Sequence, residues 1–370
     1  MSNQPLFTPI TMGPFKLEHR VVMAPLTRMR SSEGNVPNQL MAQYYAQRAT
    51  QGGLIIAEAT PVSPYGFGYA GSPGIFTQAQ VDGWRQVVKA VHDKGGIIFL
   101  QLWHVGRQSH PLLQPGNVDP VAPSALQAEG DAYAQSGPVA FSMPRALALE
   151  EIPSVVESFR VGASLAREAG FDGVEIHGAN GYLPDQFLQD GTNKRTDSYG
   201  GSIENRARFM LEITRVAVSV WGQGRVGVRL SPSSSYGSMH DSDPQSTFGY
   251  VAKQLDTLGL AYLHVVEPRI KGNETIDEHA EPIAVQYLRT VFSGLIIAAG
   301  GFHLENAEAL LSQREADMVA FGRAFIANPD LPRRLRDELH LNAYDRDTFY
   351  GGNAKGYTDY PFVDEQSETA

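Results

Sequence analysis

The chain has 370 residues, with 30 Lys+Arg against 40 Asp+Glu, 37 Gly, 23 Pro and no Cys. A formal net charge of −10 without any Lys/Arg run argues against a nucleic-acid partner, and an apolar fraction of 42% argues against disorder. Without Cys there is no disulfide scaffold and no thiolate-held zinc or iron–sulfur cluster.

Met1–Pro14 shows no basic segment followed by an apolar one, and the most apolar runs, Gly95–Leu102 and Gly294–Ala299, are too short to cross a bilayer. A cytoplasmic protein without membrane contact is therefore expected, and Asn273–Thr275 carries no meaning as a glycosylation sequon. Met1–Lys16 is expected to precede the main fold and cover its bottom. From Arg20 onward, short apolar runs alternate with amphipathic stretches. The runs are Arg20–Pro25, Gly53–Ala59, Ile97–His104, Gly173–Gly178, Val226–Pro232, Tyr262–Glu267, Leu295–Gly301 and Met318–Arg323. Most are dense in Val, Ile and Leu without clean alternation, as strands buried on both faces are. The helical stretches are Asn38–Gln51, Thr77–Lys94, Leu149–Ala169, Ser202–Val220, Asp243–Leu258, Pro282–Phe292, His303–Ser312 and Pro329–Glu338, many opened by a capping residue or closed by Gly. Eight strand–helix repeats predict an α/β fold, a single (β/α)8 TIM barrel, with a doubly wound open sheet as the alternative. Residues 1–364 read as one domain and 365–370 as a solvated tail. Val105–Arg145, rich in Pro, Gly, Ser and Gln, is too long for an ordinary loop and is either a lid or an accessory hairpin.

In a parallel barrel the chemistry gathers at the C-terminal ends of the strands. Pro25, Leu26 and Thr27 follow the first strand; Glu58, Ala59 and Thr60 end the second; Gln101, Trp103 and His104 end the third. The fourth supplies Glu175 and His177, then Asn180 and Tyr182; the fifth supplies Arg229; the sixth, His264 and Glu267. The seventh and eighth end in Gly300-Gly301 and Gly322-Arg323, a glycine-rich corner with a guanidinium, suited to a phosphate. Arg229 and Gln101 sit in apolar strands, so either they pair with Glu175 or Glu58, or they hold the polar edge of a flat ring. His177, Asn180 and Tyr182 lie within six residues: two donors that could hold a carbonyl oxygen, and a phenol that could deliver a proton. Tyr69, Trp103 and Tyr350 are candidates to wall a flat pocket. Gly66–Gly71 matches G-x-G-x-x-G, but it neither follows a strand nor opens a helix. His104, His110, His240 and Asp241 lack a convincing third metal partner.

These residues resemble the old yellow enzymes, FMN-dependent ene-reductases that include N-ethylmaleimide reductases and xenobiotic reductases. The likeness runs from about Leu6 to Pro361. It is carried by MAPLTR at Met23–Arg28, EAT at Glu58–Thr60, QLWH at Gln101–His104 and HGANGY at His177–Tyr182. TNKRTD at Thr192–Asp197, YGG at Tyr199–Gly201, ENR at Glu204–Arg206, AFGR at Ala320–Arg323, Asn328-Pro329 and GYTDYP at Gly356–Pro361 continue it.

The resemblance implies bound FMN and a reducing co-substrate, NADPH or NADH. It implies ping-pong reduction of activated C=C bonds in α,β-unsaturated carbonyls and maleimides, with nitro compounds a further candidate class. It assigns Pro25, Leu26, Thr27 and Ala59 to the flavin ring, Gln101 and Arg229 to its pyrimidine edge, and Gly301, Gly322 and Arg323 to its phosphate. His177 and Asn180 would bind the substrate oxygen, Tyr182 would donate the proton, and Tyr69, Trp103 and Tyr350 would shape the pocket. Some relatives carry His where this chain has Asn180. The absence of Cys sets the chain apart from relatives with Cys at the Thr27 position and from iron–sulfur dienoyl-CoA reductases. A barrel lyase acting on a sugar phosphate, or a binding protein that kept the flavin site without turnover, are the competing readings. A monomer or weak homo-oligomer is expected.

Overall fold

The computed structural model describes residues 4–268, 270–271, 274–275 and 283–366. Eight strands form a closed, all-parallel barrel: β1 Val21–Met23, β2 Leu54–Pro61, β3 Ile97–Trp103, β4 Gly173–Gly178, β5 Val226–Leu230, β6 Tyr262–Val266, β7 Ile296–Ala299 and β8 Met318–Phe321. Neighbours follow chain order, and β8 closes on β1 through Val319↔Val21. Each strand lies within the predicted run for its position, apart from a two-residue extension of β2 to Pro61. The closed barrel excludes the doubly wound alternative.

The main helices follow the strands: α1 Gln39–Arg48, α2 Gln78–His92, α3 Ile152–Ala169, α4 Leu183–Leu188, α5 Ile203–Trp221, α6 Pro244–Asp256, α7 Ile283–Arg289, α8 Leu304–Ser312, α9 Arg323–Ala327 and α10 Leu331–Arg336. Their starts are chemically specified. Asn38 accepts a hydrogen bond from Met41 N, Ser202 from Asn205 N and Asp243 from Ser246 N, while Thr77 and Gln80 form a reciprocal capping box before α2. Gly170 ends α3 at φ 95°, a left-handed cap open to glycine. The short helices α4 and α9 escape periodicity because each is hardly more than a turn. The expected start of α7 at Pro282 lies outside the described residues, as does Asn273 of the sequon. A turn at Val363–Gln366 runs into the expected tail, whose residues 367–370 also lie outside them.

The core is the layer between strands and helices, where Ile55, Ile98, Val174, Val228 and Leu263 meet Trp84, Phe159, Phe209 and Val251 at or near zero exposure. Complete burial of each such side chain contributes roughly 1.5–3 kcal/mol. A second cluster closes the bottom. The hairpin Ile10–Met12/Phe15–Leu17 packs Met12 and Leu17 against Val22, Leu54, Phe99, Tyr262 and Ile297. Gly13 turns that hairpin at φ 51°, where a Cβ would stand 2.2 Å from Gly224 O. The expected bottom cover is therefore in place, and it leaves the opposite mouth open. Among the described residues, no helix is long and apolar enough to cross a membrane.

The segment after β3 contains an antiparallel hairpin. Asp131–Ala134 pairs antiparallel with Gly137–Ala140. It docks on the loop after β2, with Ala70 N donating to Tyr133 O at 2.7 Å and Tyr133 N to Gly68 O at 3.0 Å.

Candidate active site

A cavity of about 690 Å³ occupies the open mouth, within the size range of small-molecule sites. All eight strands reach it through their C-terminal ends. Pro25, Leu26 and Thr27 line it after β1, Ala59 from β2, Gln101 from β3, His177 from β4 and Arg229 from β5. Val266 ends β6, Gly300 and Gly301 follow β7, and Gly322 and Arg323 follow β8. Asn180, Tyr182, Tyr69 and Tyr350 complete the predicted set on its wall. Arg323 and His177 therefore share one cavity, as a single ligand touching both requires.

Trp103 is the exception. It is fully buried and does not line the cavity. It stacks behind Tyr69 at 5.7 Å and His177 at 6.3 Å and meets the edge of Tyr182 at 5.0 Å between ring centroids. The strand places it one layer back, packed against three cavity residues.

Strand register explains the polar floor. His177 on β4 is level with Arg229 on β5, which is level with His264 on β6. Two residues below His177, Glu175 is level with Gln101. The Glu175 carboxylate accepts from Gln101 Nε2 at 2.7 Å and meets His264 Nδ1 at 2.9 Å. Arg229 has no ion pair with Glu175 or Glu58; Glu58 instead accepts from Arg28 N at 3.2 Å and Tyr45 Oη at 3.2 Å. Among the described residues, the buried nitrogens without a protein partner include Arg229 Nε and His177 Nδ1, both on residues that line the cavity. Native interiors rarely leave such donors unpaired. Burial holds the His177 imidazole well below its ordinary pKa, and the nearby Arg229 guanidinium adds to that. Burial raises the Tyr182 phenol above its usual value, so it keeps its proton.

The donor set fits flavin mononucleotide. Small side chains, Ala24, Ala59, Ala299 and Ala320, line the cavity and leave room for a flat ring. The unpartnered Arg229 Nε suits a polar ring edge. Gly300 at φ 135° and Gly301 at φ 71° form a lip beside Arg323, and a Cβ on Gly300 would stand 2.8 Å from Glu267 Cβ. Backbone of that kind lets an anionic group approach closely.

Among the cavity residues that sequence reasoning missed are Tyr133 and Tyr236. Tyr133, from the hairpin, stacks on Tyr69 at 5.3 Å and packs on Tyr350 at 5.4 Å; Tyr69 and Tyr350 are 6.2 Å apart. Tyr236 sits after β5, its hydroxyl 3.5 Å from that of Tyr69. The alternating Ala132-Tyr133-Ala134 before Gly137 signals a hairpin, but no local pattern says which rim it will cover. Among the described residues no cluster of His, Asp and Glu could hold a metal, and His104 Nδ1 accepts from Gly106 N instead.

Residues 5–342 match the family model described as the NADH:flavin oxidoreductase / NADH oxidase family. A morphinone reductase solved in complex with tetrahydroNAD is 51% identical with a TM-score of 0.90, covering 98% of each chain. An old yellow enzyme homologue from Zymomonas mobilis is 42% identical with a TM-score of 0.92, covering 97% of this chain and 99% of that one. The 12-oxophytodienoate reductase 1 of Oryza sativa subsp. japonica is 49% identical over 99% of this chain and 96% of its own length.

Proposed function

The chain belongs to the NADH:flavin oxidoreductase / NADH oxidase family as an FMN-carrying old yellow enzyme, and from that premise we propose that it reduces activated C=C bonds of α,β-unsaturated carbonyl compounds at the expense of a reduced nicotinamide nucleotide. The observation that carries this reading is the grouping of His177, Asn180 and Tyr182 on one wall of the cavity that Arg229 and Arg323 also line. The names of the relatives support it: a morphinone reductase and a 12-oxophytodienoate reductase.

FMN supplies two-electron hydride chemistry when bound. Gln101 and Arg229 would hold its polar edge, with Glu175 orienting the Gln101 amide. Gly301, Gly322 and Arg323 would take its phosphate, and Pro25, Leu26, Thr27 and Ala59 would pack against the ring. His177 and Asn180 donate to the carbonyl oxygen of the alkene and stabilise the charge it gains. A neutral imidazole suits that task, because it is a donor that does not surrender its proton to the oxygen. Tyr182, edge-on to His177 at 4.8 Å between centroids, delivers the proton to the α-carbon. Tyr69, Tyr133 and Tyr350 keep water from the reacting carbon. Maleimides offer the same carbonyl and alkene, and nitro compounds offer an equivalent oxygen. A cytoplasmic location accords with this chemistry.

The test is anaerobic stopped-flow absorbance. NADH or NADPH is expected to bleach the flavin, and 2-cyclohexenone to restore its colour. Tyr182→Phe is expected to slow recolouring by roughly 10²-fold and to leave bleaching unchanged. A flavin that bleaches but never recolours with any enone or maleimide would overturn the proposal.

A further inference from the structure

The proposed oxygen clamp is carried by an unusual stretch of backbone. Between β4 and α4 two successive residues are left-handed, Asn180 at φ 58° and Gly181 at φ 75°. A non-glycine residue tolerates that conformation only at some cost, which Asn bears better than most. The turn is what separates Asn180 from His177 and brings Tyr182 back toward the cavity. Left to itself, such a turn would relax and carry both side chains away.

It is held from every side by buried groups. Asn180 N donates to Ser231 Oγ at 2.8 Å, and Gln108 Nε2 donates to Asn180 O at 2.8 Å. Gly181 N donates to Asp185 Oδ2 at 2.9 Å, and Gln186 Nε2 donates to Gly181 O at 2.7 Å. Asp185 is completely buried, and its second oxygen accepts from Gln189 Nε2 at 2.8 Å. The Ser231 side chain interacts with the same carboxylate. One acid thus joins the two amides of the turn, Gly181 directly and Asn180 through Ser231. Asp185 does not line the cavity, so no direct contact with a ligand explains its burial.

From this arrangement we infer that Asp185 is a positioning residue: its carboxylate sets the Asn180–Gly181 turn and thereby the placement of the Asn180 amide and the Tyr182 phenol. The inference rests on the reading of His177 and Asn180 as the oxygen clamp. Burial pushes the carboxyl up to about 7, against the hydrogen bonds from Gln189 and Gly181, and Asp241 adds to the rise. Keeping a carboxyl at that cost, where an apolar residue would fill the same space, accords with a role in geometry.

The experiment titrates 4-chlorophenol, whose oxygen mimics the substrate's, into FMN-loaded protein and follows the long-wavelength absorbance of the complex. Asp185→Leu removes the acceptor for Gly181 N; Asp185→Asn keeps one. The leucine variant is expected to bind the phenol about tenfold more weakly, with FMN affinity unchanged, and the asparagine variant to return to within about threefold of the parent. Parental phenol affinity in the leucine variant overturns the inference, and so does an equal loss of FMN and phenol, which marks a merely structural role. Should the leucine variant fail to fold, Ser231→Ala is expected to weaken the phenol by about threefold or more, and unchanged affinity there overturns the inference too. The double variant His177→Ala/Asn180→Ala separates the two readings. If it keeps parental affinity, the oxygen-clamp reading falls and takes this inference with it; if it loses the phenol while Asp185→Leu does not, only the positioning role is wrong.

Discussion

Two groups of buried charge, one behind β1 and one at the mouth on β4 and β5, are wired in opposite ways. Behind β1, Arg28 and Arg48 spend their donors on protein. Arg28 donates to Phe349 O at 2.9 Å and Gly356 O at 2.8 Å, and Arg48 to Phe325 O at 2.9 Å and Ile326 O at 2.7 Å. Both cover Tyr44, which stacks on Tyr357 at 4.0 Å. At the mouth, Arg229 reaches the cavity with its Nε unpaired, beside the unpaired His177 Nδ1. A guanidinium closed off by carbonyls ties the C-terminal segment to the barrel. One left open is shaped for something that arrives from outside.

Four substitutions put that contrast to the test. The largest effect is expected behind β1. Arg48→Met leaves the Phe325, Ile326 and Tyr357 carbonyls unpaired and should cost about 3–5 kcal/mol in urea unfolding. Next comes Glu58, whose carboxyl burial pushes up to about 7 despite hydrogen bonds from Arg28 N and Tyr45 and the charges of Arg28 and Arg30. Its folded pKa exceeds its unfolded one, so between pH 4.5 and 7 only the folded chain keeps the proton. Stability from this group is then full below that window and lost as pH rises through it. Glu58→Gln should remove a decline on the order of 3 kcal/mol, at about 1.4 kcal/mol per unit, read as the difference between parent and variant thermal midpoints across pH 5–8. Arg229→Met should act the other way round: stability within about 1 kcal/mol of the parent, but FMN bound roughly 10–100-fold more weakly by fluorescence titration. A large stability loss there would erase the distinction between the two groups. The smallest change is expected for Tyr133→Ala, which removes ring packing on Tyr69 and Tyr350 worth about 0.5–1.5 kcal/mol and should raise the enone KM a few-fold while leaving the rate of flavin reduction unchanged.

The barrel was legible in the hydrophobic pattern alone. Eight dense apolar runs, each followed by a capped amphipathic stretch, leave few other ways to bury both faces of eight strands, and the strand ends name the rim residues because register follows from the repeat. Motif likeness then determined the family and its cofactor. Which polar residues stayed open to a ligand emerged from the folded packing. Nothing in their local sequence tells Arg28 after β1 from Arg229 in β5, and the difference between them lies in carbonyls more than 300 residues away along the chain from Arg28. Trp103 reads as a pocket wall until the packing sets Tyr69 in front of it. Tyr133 and Tyr236 reach their places through the segments after β3 and β5, and Asp185 reaches its place through the burial of α4. Local patterning reports what a segment buries, whereas a loop's partner depends on the whole barrel having closed around it.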